Sequence, residues 1–183
     1  MYMVMTQTGS LLSRTIKLYT KEPYNHVSIG FDKNLDKIYS FGRKNPRNPL
    51  FAGFVEEDIN DGVYKIFKET TCRIYKMEIS DSEYIRLKRK IDLFNRRKDK
   101  YKYNLLGLIA LMFGIPLQRK NHYFCSQFVA RVLYSSKIVD FKKDFSLVKP
   151  NDFTNIDNTV LVYEGKLSEY DPHNFSATQL CRI

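Results

Sequence analysis

Apolar and polar residues alternate weakly over residues 1–5, which predicts a short strand. Leu11, Leu12, Ile16 and Tyr19 then recur at helical spacing, with Ser10 placed to cap a helix and Pro23 to end it. Two runs rich in β-branched and aromatic residues follow, 24–32 and 37–42, separated by the four residues Lys33 to Asp36. That pattern predicts a β-hairpin. Residues 43–53 hold Pro46 and Pro49 among basic and amide side chains, so a long basic loop bordering a site is expected. Residues 54–61 read as a short acidic strand or turn, and 71–79 as a strand.

Ser80-Asp81-Ser82-Glu83 has the spacing of a capping box and opens a helix with Tyr84, Leu87, Ile91 and Phe94 on one face. Its other face is a basic cluster (Lys88, Arg89, Lys90, then Arg96, Arg97, Lys98), which reads as solvated surface. The apolar run 105–117 predicts a helix that Pro116 closes. The next helix starts at Cys125 and Ser126 and carries Phe128, Val129, Val132 and Leu133 on one stripe. A turn at 149–153, a last strand at 159–164 and an irregular end complete the chain. The expectation is one α+β domain spanning 1–183, with an antiparallel sheet packed against helices.

The formal net charge of +10 points to a negative partner, and contact with an anionic surface is the form it suggests. The basic residues are too scattered to indicate specific nucleic-acid binding. The three cysteines (Cys72, Cys125, Cys181) are odd in number and widely spaced, which argues against a disulfide framework and a cysteine-rich zinc site. The longest apolar run is too short for a transmembrane segment, and the first residues lack a secretory pattern. A cytoplasmic protein is expected.

Chemistry concentrates at Cys125. A helix N-terminus offers free N–H groups and a partial positive charge, both favourable to a thiolate, although Cys125 also continues the apolar stripe of a core thiol. A nucleophilic cysteine needs a base. Of the three histidines, His122 is too close in sequence to face Cys125 across a cleft, and His173 lies in a polar tail. His26 opens a strand and shares parity with the small residues Ser28 and Gly30. Ser40, on the following strand with Gly42, is the candidate to face His26 and fix its tautomer.

His26 at the start of a hairpin strand, Tyr103-Asn104, and then Tyr123-Phe124-Cys125-Ser126-Gln127-Phe128-Val129 together resemble the circularly permuted papain-like proteins of the NlpC/P60 superfamily, in particular the bacterial YiiX/YaeF/YycO-type group. The resemblance covers roughly residues 3–165. It implies a papain-like fold with Cys125 as nucleophile, His26 as base and Tyr103 as a group that helps bind the oxyanion. The third position in these families is usually His, Glu, Asn or Gln; here it is Ser40, with Glu56 or Glu57 as alternatives. The implied activity is a thiol hydrolase of amidase or peptidase type, acting on a peptide, another amide or an acyl thioester, with no cofactor and no metal. An acyltransferase or lipid-directed enzyme with the same site, and a catalytically silent binding module, are the alternatives.

Overall fold

The computed structural model describes residues 1–9, 22–45 and 48–174. In chain order the elements are β1 (Tyr2–Gln7), β2 (His26–Gly30), β3 (Ile38–Asn45), β4 (Asn48–Glu57), α1 (Gly62–Ile66), β5 (Thr71–Met77), α2 (Asp81–Arg96), β6 (Lys102–Tyr103), α3 (Leu105–Met112), β7 (His122–Tyr123), α4 (Cys125–Ser135) and β8 (Thr159–Lys166). Six strands form one antiparallel sheet in the order β4-β3-β2-β1-β5-β8, and β6 pairs with β7 in a small parallel ribbon. The architecture is α+β. The helix expected around Leu11, Leu12, Ile16 and Tyr19 lies outside the described residues.

Strand alternation gives the sheet two different faces. Met3 and Met5 of β1, Val27 and Ile29 of β2, Tyr39 and Phe41 of β3, and Phe54 of β4 share one core with α2 and α4. Within it Phe128 of α4 meets Phe41, Phe54 and Phe94 at centroid distances of 5.2, 5.6 and 5.0 Å. The tilted and edge-on geometries suit the aromatic quadrupole and add about 0.5–1.5 kcal/mol per pair beyond the area buried. Val4, Ile38, Cys72 and Ile74 point the other way, into a smaller cluster with Leu35, Tyr64 and Leu167.

Helix α2 begins as its sequence indicates. Ser80 Oγ accepts from Glu83 N, and the Glu83 carboxylate accepts from Ser80 N at 2.8 Å. Leu87, Ile91 and Phe94 are buried, whereas Tyr84 sits at the margin, 40% exposed, with its ring edge-on to Phe31.

Three expectations are corrected. The hairpin loop runs from Phe31 to Lys37 instead of Lys33 to Asp36, because Leu35 is fully buried at φ 59° and Asp32 Oδ1 folds the turn by accepting from Asn34 N and Leu35 N. Most of the segment 43–53 is strand rather than loop, since β3 and β4 pair through Arg43↔Ala52 to Asn45↔Asn48. Pro49 is tolerated there because β4 is an edge strand. Helix α3 stops at Met112, not at Pro116: Gly114 adopts φ +70° and the N–H groups of Gly114 and Ile115 close on Leu111 O and Ala110 O.

Candidate active site

The site forms where β2 and α4 both begin. The β2–β3 ladder consists of Ile29↔Tyr39 and Gly30↔Ile38. Continued toward the start of β2, that register sets Ser40 abreast of Ser28 and Gly42 abreast of His26. A Cβ added at Gly42 would lie 3.5 Å from both His26 Cε1 and Glu57 Oε1, so the missing side chain is what leaves space beside the ring.

Glu57, the last residue of β4, comes in from the strand beyond. Its Oε2 lies 3.4 Å from His26 Nε2 and accepts from Ser40 Oγ at 2.8 Å and from Ser28 Oγ at 3.4 Å. Ser28 Oγ is also 3.2 Å from His26 Nε2. The expected partnership of Ser40 with the ring is therefore corrected. Ser40 sits two residues before Gly42, the position abreast of His26, and it holds the carboxylate that faces the ring. Of the alternatives, Glu57 faces His26, whereas Glu56 pairs across the strands with Tyr39 and forms an ion pair with Lys37 at 3.4 Å.

Cys125 is the first residue of α4, after Phe124 in extended conformation. Its Sγ approaches Asn25 O at 3.9 Å, and Cys125 lies near enough to the His26 ring to raise its pKa. By strand parity His26 leaves the sheet on the side opposite Val27 and Ile29, which pack against α4. His26 is the first residue of its strand and Cys125 the first of its helix, and Asn25, just before His26, carries the carbonyl that the sulfur approaches.

Burial alone disfavours the charged form of the His26 ring. The hydrogen bonds to Cys125 and Glu57, with the charges of both, outweigh it and raise the ring from 6.5 to about 10. At neutral pH the ring therefore carries both protons.

Tyr103 precedes α3 on β6. Burial and the nearby Cys125 push its phenol well above its usual value, while Arg43 opposes them. It stays protonated, and so a donor, at any working pH.

Its position is set by a buried amide pair. Asn104 caps α3 by accepting from Gly107 N at 3.1 Å and donates through Nδ2 to Leu117 O and to Gln127 Oε1, each at 3.2 Å. Gln127 Oε1 in turn accepts from Phe124 N at 3.4 Å, beside the thiol. An added Cβ at Gly107 would fall inside the Asn104 amide, so glycine is required there. Ser126 Oγ donates to Val148 O at 2.6 Å and fixes the helix start from the other side. Sequence reasoning missed the roles of Asn104, Gln127 and Ser28, though an asparagine just before an apolar helical run is a readable cap signal.

Beside the His26 ring opens a cavity of about 650 Å³, lined among others by Asn25, His26, Glu57, Arg43, Tyr103 and Leu105. Cys125, 4% exposed, is not among the residues that line it and belongs to the main apolar cluster, while its neighbours Asn25, His26 and Tyr103 do line it. Tyr64 of α1 faces the same polar cluster from outside. Its hydroxyl neighbours Thr6 and Ser28 without reaching full hydrogen-bond geometry, and burial raises its phenol. Among the described residues no group of three or more His, Cys, Asp or Glu side chains is placed to hold a metal ion. No family model, no curated protein and no solved structure matches the chain.

Proposed function

We propose that the chain is a cysteine hydrolase of papain-like type, related to the permuted NlpC/P60 proteins, with Cys125 as nucleophile, His26 as acid and base, and Glu57 as the orienting carboxylate. The observation that carries this reading is the His26 ring, in contact with Glu57 through Nε2, with the Cys125 sulfur 3.9 Å from the carbonyl of the preceding Asn25. A nucleophile, a base and an orienting group in that sequence make up a catalytic triad. A protonated imidazole beside a thiol favours the thiolate.

In the reaction, the Cys125 sulfur attacks the carbonyl carbon of an amide or thioester. The oxygen takes up the negative charge and is met by the Cys125 backbone N–H and the Tyr103 hydroxyl. When the tetrahedral intermediate collapses, the C–N or C–S bond breaks and the leaving group takes its proton from His26. The resulting acyl-enzyme is a thioester. Water then gives a proton to His26 and attacks the same carbon, releasing the acid and restoring the thiolate and the imidazolium. Glu57, fixed by Ser28 and Ser40, keeps Nε2 engaged, so proton exchange with sulfur and leaving group falls to Nδ1.

Alkylation of the folded protein with iodoacetamide at pH 6, followed by mass mapping, tests this. The expected result is rapid labelling of Cys125, protection of buried Cys72, and a marked slowing in His26→Ala. Labelling of Cys125 only after unfolding would make it a core thiol and the protein a binding module.

A further inference from the structure

The charge and shape around the cavity mouth assign a surface that the thiol chemistry does not use. We infer that α3 and the turn after it form a docking face for an anionic phospholipid bilayer. Leu105, Leu106, Ile109 and Phe113 follow helical spacing along one side, and Ile115 extends it past the Gly114 turn. Their exposures are 44, 55, 45, 67 and 57%, and Phe51 across the cavity is 58% exposed. Large apolar side chains open to solvent in one contiguous group mark a contact surface.

The edge of this face is basic. Lys98, Lys100, Lys102, Arg119 and Lys120 are all exposed, and Asp99 is the one acidic residue from Lys98 to His122. Lys102 and Arg119 line the cavity together with Leu105 and Leu106, so the cations and the apolar side chains share one rim. That composition selects among occupants. A second copy docked symmetrically would bring two cationic rims together, because a two-fold contact presents the same patch from both sides. A neutral protein groove would leave the cations unused. Anionic headgroups over acyl chains match both parts at once.

Helix α3 has eight residues, and no helix among the described residues is long and apolar enough to cross a membrane, so α3 lies in the interface. Docked this way, the cavity mouth faces the lipid. The inference does not rest on catalysis: Cys125→Ala is expected to bind vesicles as the unaltered chain does.

Co-sedimentation of the full chain with vesicles tests it, using phosphatidylcholine alone and phosphatidylcholine containing about 30% phosphatidylserine. Binding to the anionic vesicles is expected to exceed binding to neutral ones roughly tenfold and to weaken as salt shortens the screening length. The double variant Ile109→Asp/Phe113→Asp is expected to lose binding to both. Arg119→Glu/Lys120→Glu is expected to lose the preference for anionic lipid. Unchanged circular dichroism melting of the variants excludes misfolding, since the altered side chains are exposed. Three results would each overturn the inference: no vesicle binding by the unaltered chain, binding indifferent to the aspartates, or a dimer in sedimentation velocity that the aspartates dissociate without any lipid binding.

Discussion

The two faces of strands β2 to β4 are built from alternate residues of the same segments, yet they solve opposite problems. Toward α4 they present Val27, Ile29, Tyr39, Phe41 and Phe54, which are buried and held chiefly by apolar contact. Toward α1 they present the buried Ser28 and Ser40 and the partly buried His26 and Glu57, all polar, so each must find a specific partner. Contact is forgiving about which residue supplies it, and a hydrogen bond is not. The apolar face should thus carry stability and the polar face reactivity, and substitutions on each should separate the two.

The largest effect is expected from Phe54→Ala. Phe54 is 1% exposed and packs against Tyr39, Phe41, Phe94 and Phe128. Its truncation should cost about 3–5 kcal/mol in urea unfolding, a large share of the 5–15 kcal/mol typical of a domain. Alkylation of Cys125 in the fraction that remains folded should change little. A loss of reactivity without a loss of stability would reverse the assignment of the faces.

Glu57→Gln should do the opposite, slowing Cys125 alkylation by roughly 10²-fold or more while moving the unfolding midpoint less than Phe54→Ala does. It should also change the pH dependence. His26 is raised in the folded protein from 6.5 to about 10, so its stabilising contribution is complete below about 6.5 and is lost as pH rises through about 10. Unfolding midpoints measured across that window should fall for the unaltered chain. The fall should be shallower in Glu57→Gln, and an identical slope would remove Glu57 from the site.

Ser40→Ala is the smallest and sharpest case. It removes the 2.8 Å donor to Glu57 without touching the ring, so a stability loss of about 0.5–1.5 kcal/mol and a rate loss well short of that in Glu57→Gln are expected. If Ser40→Ala matched Glu57→Gln in rate, Ser40 would be the orienting group after all.

Cys125 and His26 could be read from the chain because each announces itself locally: a cysteine where a helical stripe starts, a histidine where a strand starts. The third partner could not. It depends on the register of three strands, and that register depends on how the loops close. Burial of Leu35 lengthened one loop, and the pairing of residues 43–45 with 48–52 turned an expected loop into strand. Periodicity fixes which face a side chain takes but not how far along its neighbour it lies. That is why the sequence points to Ser40, with Glu56 or Glu57 as alternatives, although the register brings Glu57 to the ring. The buried Asn104–Gln127 contact was hidden for a related reason, since a polar residue's partner 23 positions away leaves no periodic trace.

Asn25, whose carbonyl meets the sulfur, is 100 residues upstream of Cys125. During synthesis the histidine's strand leaves the ribosome long before the thiol exists. Closing so long a loop is costly in entropy and belongs to the slow part of folding. On the proposed reading, any activation of Cys125 waits for that contact to form, so the nascent chain cannot carry the complete site. Pulsed alkylation of Cys125 during refolding would time that closure, giving a clock for one long-range step in a chain that has no tryptophan to report it.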